Sequence, residues 1–122
     1  MAEGVLLNWV PPSDAHAQAG ALHTIAPAAH VAVYVRTAIV SAARARLDAE
    51  TARYASFPNY AANFERMGVD AADTTIRDVT ELGDALEAYT AAADEVVLRA
   101  IVPEDTVEAY VEFARRTAPS PG

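Results

Sequence analysis

The sequence predicts an α/β fold built on a small parallel sheet, and three observations carry that prediction. First, His30 to Ala38 reads His-Val-Ala-Val-Tyr-Val-Arg-Thr-Ala, so Val31, Val33 and Val35 share one side of a pleat and Ala32 and Tyr34 the other. Both sides are apolar, which suits a strand covered on two faces. Second, two similar runs flank it, Gly4 to Trp9 upstream and Asp94 to Arg99 downstream. Third, helix-like segments fill the intervals. Alternation of this kind implies right-handed βαβ crossovers and a three-stranded parallel sheet.

Taken in order, Val5 to Trp9 is a strand closed by Pro11-Pro12. Ser13 is the expected N-cap of a helix from Asp14 to about Ile25, with Pro27 just past its end. Ala15, Ala19, Leu22 and Ile25 form its thin apolar stripe. After the middle strand, Ser41 is placed to cap a helix running from Ala42 to Ser56, with Arg46 and Glu50 as an i,i+4 pair on its wet face. Pro58 suits the first turn of a further helix that reaches Met67 and ends at Gly68. Val69 to Thr75 reads as a polar connection. Ile76, Val79, Leu82, Leu86 and Tyr89 recur at helical spacing, weakened or broken at Gly83. Val96 to Val102 is the third strand. Pro103 opens a last helix whose expected inward residues are Val107, Tyr110, Val111 and Ala114. Its Glu104, Asp105 and Glu108 lie near the N-terminus and Arg115-Arg116 near the C-terminus, as the helix dipole favours. Residues 1–117 read as one domain and 118–122 as a disordered tail.

The totals narrow the function. Of 122 residues 52% are hydrophobic, but 29 are alanine and only one is tryptophan, so a core built from them is modest and a large partner surface is expected. A net charge of −8 argues against nucleic acid, which needs a basic face. The absence of cysteine excludes disulfides, thiolate metal sites and a cysteine nucleophile. No apolar run is long enough to span a membrane and no cationic leader opens the chain, so the expected setting is the cytoplasm.

In a parallel sheet, functional groups gather at the carboxyl ends of the strands. Here those ends carry Asn8-Trp9, Arg36-Thr37 and Arg99. Arg36 and Arg99 are the candidate cofactor-binding residues, because two guanidiniums at one rim suit a phosphate or carboxylate. The alternative is that each ends its strand in water or pairs with a carboxylate such as Glu95 or Glu104. Asn8 and Trp9 are the candidate substrate-binding pair, offering an amide and an aromatic face to a flat ring; packing is the alternative for Trp9. The aromatic residues Tyr54, Phe57, Tyr60 and Phe64 read chiefly as core. His16, His23 and His30 recur every seven residues, but the first two lie about 10 Å apart on a helix, too far to share one ion, so no metal site is expected. No acid/base pair, Ser-His-Asp arrangement or phosphate-cradling glycine loop is visible, and the catalytic residues stay unassigned.

Five stretches, in this order and spacing, carry a resemblance: Ala2 to Trp9, Val33 to Arg36, Tyr54 to Tyr60, Phe64 to Gly68, and Ala93 to Arg99. Together they resemble the C-terminal part of the luciferase-like flavin- or deazaflavin-dependent oxidoreductases, a family that includes monooxygenases, over residues Ala2 to Ala114. The resemblance implies a partial (β/α)8 TIM barrel: the last three βα units of a fold of about 250 residues, with extra helices before the final strand. It implies FMN or a deazaflavin coenzyme, a small-molecule substrate, and activity only when the remaining strands are supplied. The expected partner is a complementary barrel chain or a second copy in a homo-oligomer, since three strands cannot close a barrel. The alternative function is a non-catalytic α/β interaction module that dimerises through its open sheet face.

Overall fold

The computed structural model describes residues 4–118. Ala2 and Glu3 of the first matched stretch, and residues 119–122 of the expected tail, lie outside the described residues. The architecture is α/β, with one three-stranded parallel sheet and five α-helices among the described residues. The strands are β1 (Gly4–Asn8), β2 (His30–Thr37) and β3 (Glu95–Ala100), and they lie side by side in the order β1-β2-β3. The helices are α1 (Pro12–Ile25), α2 (Arg44–Ala55), α3 (Pro58–Met67), α4 (Val79–Ala92) and α5 (Val107–Thr117). Gly4 stands opposite His30, and a Cβ there would sit 2.5 Å from the His30 carbonyl oxygen, so the close approach of β1 requires glycine.

Register divides the side chains of the sheet between two faces. Val33 and Val35 join Ala15 of α1, Leu82 and Tyr89 of α4 and Phe113 of α5 in the main apolar core. The buried Tyr89 hydroxyl donates to the Val10 carbonyl at 2.7 Å and ties α4 to the turn after β1. Burial alone raises its pKa well above the usual tyrosine value. The opposite face carries Leu6, Ala32, Tyr34 and Val97 and, toward the carboxyl ends, Asn8, Arg36 and Arg99. A second small cluster of Ala38, Ala43, Leu47 and Ile101 seats α2 against the segments leaving β2 and β3.

Several elements differ from expectation for identifiable reasons. Pro11, not Ser13, is the N-cap of α1, because Pro12 occupies the first helical position and draws the start forward. Ser41 opens a 3-10 turn, Ser41–Ala43, and makes no side-chain cap for α2. Within the supposed polar connection, Ala71–Thr74 forms a second 3-10 turn, where the Asp73 side chain accepts from the Asp70 N–H at 3.0 Å. Ile76 is not helical. It forms a one-residue parallel bridge to β2, donating to the Arg36 carbonyl and accepting from the Ala38 N–H, and is almost completely buried. A strand residue presents its N–H and C=O to one edge, and Thr37 accepts Ile101 on the β3 side, so Ile76 extends the sheet on the β1 side, beyond the end of β1.

Gly83 does not break α4, which is continuous, because the position faces open space while Leu82 and Tyr89 anchor the helix. The last helix begins at Val107, capped by the Thr106 hydroxyl, and not at Pro103. Its expected inward stripe points outward: Val107 is 76% exposed, and Tyr110, Val111 and Ala114 are exposed too, while Phe113 and Ala109 face the core. Likewise Ile25 at the end of α1 is exposed.

Candidate functional site

The carboxyl ends of the strands converge on one charged cluster. Asn8 and Arg36 lie on adjacent strands, and the register pairs Arg36 directly with Arg99. Two cations side by side on one face repel, and both are drawn to Glu50, one helix away. Arg36 Nε donates to Glu50 Oε1 at 2.9 Å, and Arg99 Nη1 donates to the same oxygen at 2.9 Å. Arg36 Nη1 also donates to Asn8 Oδ1 at 2.5 Å. The guanidinium of Arg36 sits 3.9 Å over the Trp9 ring, with the rings of Tyr54 at 5.0 Å and Tyr34 at 5.1 Å. With only 4% of its surface exposed, Arg36 is a buried cation whose charge is balanced by one carboxylate and by aromatic faces.

Trp9 makes this possible by an unusual backbone. Its φ is +57, the only positive value at a non-glycine among the described residues. This left-handed turn ends β1 and lets the indole, 2% exposed, lie across the cluster. Trp9 packs against Tyr54 at 5.1 Å and edge-on to Phe64 at 6.2 Å, and Tyr54 in turn meets Phe57 and Tyr60. Tyr54 of α2, Tyr60 and Phe64 of α3, and Phe57 between the two helices therefore form, with Trp9, a lid across this end of the sheet. The indole N–H is buried and has no acceptor among the described residues.

The candidate residues thus have separate situations. Arg36 is held beneath the aromatic rings and bonded to Glu50 and Asn8. Arg99 is partly open. Burial works against its charge, but Glu50 and the Tyr34 hydroxyl outweigh that and hold its pKa above the ordinary arginine value. Arg99 lines an open cleft of about 420 Å³ with Glu50, Arg53 and Tyr54. Asn8 and Trp9 line a different cleft, about 250 Å³, together with Tyr60 and Phe64 of the lid.

Sequence reasoning missed Glu50 as the partner of both arginines; Glu95 instead meets His30 at 2.8 Å. The expected Arg46–Glu50 pair is replaced: Arg46 bonds the Val102 carbonyl at 2.7 Å and Asp105 at 3.1 Å. The reason is competition, since a buried guanidinium needs a carboxylate more than a solvated one does. Asp105, bonded by Arg46 and the Tyr110 hydroxyl, is correspondingly held below the usual carboxylate range. Arg53, next to Arg99 in its cleft, was also missed. The spacing of Glu50 and Arg53 on one helix face was its only signal. The histidines part ways, His23 meeting Asp94 at 3.2 Å and His30 meeting Glu95.

Compared with family models, curated proteins and solved structures, the chain matches none. No helix among the described residues is long and apolar enough to cross a membrane.

Proposed function

We propose that the chain supplies the last three βα units of a (β/α)8 barrel of the luciferase-like flavin- or deazaflavin-dependent oxidoreductase type, acting on a small-molecule substrate once the remaining strands complete the barrel. One observation carries this reading. Helices α1, α4 and α5 pack on a single face of the sheet, as an outer ring does, while the other face gathers Asn8, Arg36 and Arg99 at the carboxyl ends and leaves Leu6 59% exposed. The phosphate end of such a cofactor fits the residues present, because Arg99 and Arg53 line the same open cleft. Glu50 keeps Arg99 in place there. The tricyclic ring needs walls beyond the described residues, which the completing strands supply. A bound flavin or deazaflavin provides the redox chemistry, and this chain provides position and charge.

Titrating the protein with FMN and with the deazaflavin coenzyme, alone and mixed with a polypeptide carrying the other barrel strands, tests the proposal by fluorescence. Binding in the mixture, weakened at least tenfold by Arg99→Ala, is expected. If no binding occurs under either condition, the enzymatic reading fails.

A second reading, a non-catalytic module that dimerises through the open face, is favoured by the exposure of Leu6 on that face of an edge strand. Sedimentation decides it, since a well-folded monomer at micromolar concentration removes it.

A further inference from the structure

The cleft lined by Asn8 and Trp9 lies between the end of β1, α1 and α3, and the bonds its side chains already make determine what it offers a ligand. Arginine has only N–H donors, so the Asn8 amide that meets Arg36 must turn its oxygen toward it and keep its NH₂ free. The same holds for Asn63, whose oxygen accepts from Arg66 at 3.3 Å. Neither NH₂ group has an acceptor among the described residues. Arg66 is exposed and retains most of its donors. The wall between them includes Trp9, whose buried indole N–H also lacks an acceptor. Each amide oxygen already holds an arginine, and the NH₂ groups of Asn8 and Asn63 with the Arg66 guanidinium outnumber the one further side-chain amide of the lining, Gln18, so donors predominate.

Size narrows the ligand further. A cavity of about 150 Å³ holds benzene, so a cleft of about 250 Å³ admits a single ring with a carboxylate. Tyr60 and Phe64 supply aromatic surface for the ring. We propose that this cleft binds a small ring-bearing carboxylate, its oxygens accepting from Asn8, Asn63 and Arg66. The assignment extends the placing of Asn8 and Trp9 at a ligand. It needs neither a flavin nor further strands, so its failure and that of the redox reading are separately visible.

The chain has a single tryptophan, which gives one indole N–H resonance in a nitrogen–proton spectrum. Titration of the ¹⁵N-labelled protein with sodium benzoate should shift that resonance and the Asn63 side-chain amide along one saturable curve. Inorganic phosphate and sodium chloride at matched ionic strength serve as controls. Asn63→Asp keeps an acceptor for Arg66 but replaces the free NH₂ by an anionic oxygen, and Arg66→Gln removes the cation; both positions are exposed, so both variants fold. Each should weaken benzoate binding at least tenfold. The proposal is overturned if benzoate gives no saturable shift, if phosphate or chloride reproduces it, or if either variant binds as the parent does.

Discussion

The two faces of the sheet are held by opposite physics. On one, Val33, Val35, Leu82, Tyr89 and Phe113 make a dry core that any well-shaped apolar set would satisfy. On the other, the carboxyl ends are closed by a buried Arg36–Glu50 pair under aromatic rings. The first face is tolerant because burial is non-directional. The second is brittle, because the buried Arg36 charge depends on one carboxylate.

The largest expected effect tests that contrast directly. Glu50→Ala leaves Arg36 buried without a carboxylate, and breaking such a pair costs about 3–5 kcal/mol. Replacing both partners, Arg36→Met with Glu50→Leu, should recover most of that loss, since a buried ion pair often exchanges evenly for apolar residues. Urea denaturation of the parent, the single variant and the double variant measures both. A single variant within 1 kcal/mol of the parent would mean that the two faces are not different in kind.

On the dry face, Ile76→Ala should cost about 2–4 kcal/mol through lost burial and the cavity left behind, because Ile76 is only 1% exposed. Unlike Glu50→Ala, this loss should shrink with a partial replacement such as Ile76→Val, to about 0.5–1.5 kcal/mol. The graded response of one face against the all-or-none response of the other is the comparison in measurable form.

How much of this was legible in the sequence follows the same division. The three strands were legible because β2 is apolar at both parities and its neighbours are short apolar runs at βαβ spacing. Ile76 was not, since a one-residue bridge has no period, and its spacing to Val79 and Leu82 imitates a helix. The outward stripe of α5 was misassigned because Val107, Tyr110, Val111 and Ala114 have the same spacing as a buried stripe; only packing into the main core selects Phe113 instead. Among the site residues, the convergence of Asn8, Arg36 and Arg99 followed from strand ends alone. Glu50 did not, because a local i,i+4 reading with Arg46 is indistinguishable in sequence from a long-range one. The left-handed Trp9 carries no sequence signal, since φ above zero is rare for a bulky residue.

A smaller effect should fade in acid. Asp94 Oδ2 accepts from the Val31 N–H at 2.8 Å, and its own N–H donates to the Val31 carbonyl, pinning the start of β3 to β2. The bond from Val31 lowers the Asp94 pKa, against a smaller opposing effect of desolvation, and His23 and His30 add to the lowering. A carboxylate with a depressed folded-state pKa stabilises the fold above its unfolded value, about 3.9, and that contribution is lost as pH falls through the folded value. Asp94→Asn should therefore reduce stability at pH 6 and flatten its decline below about pH 4. Thermal melts of parent and variant across pH 2.5–6 check this. Parallel curves would remove the carboxylate from the account.

The smallest expected effect on stability belongs to the uncovered end of the second face. Leu6 lies on an edge strand and is 59% exposed, so Leu6→Lys removes little buried area. Its stability should change by no more than about 0.5 kcal/mol, as for most surface positions. Association is where the change should show. A lysine on an edge strand opposes pairing with another sheet, and a partner that completes the sheet through this face would have to desolvate the ammonium. If the open face binds a second copy or the remaining strands of a barrel, Leu6→Lys should weaken that association at least tenfold in sedimentation while the melt stays unchanged. An association that survives the substitution would move the interface to another surface and leave the second face closed only where Arg36 and Glu50 close it.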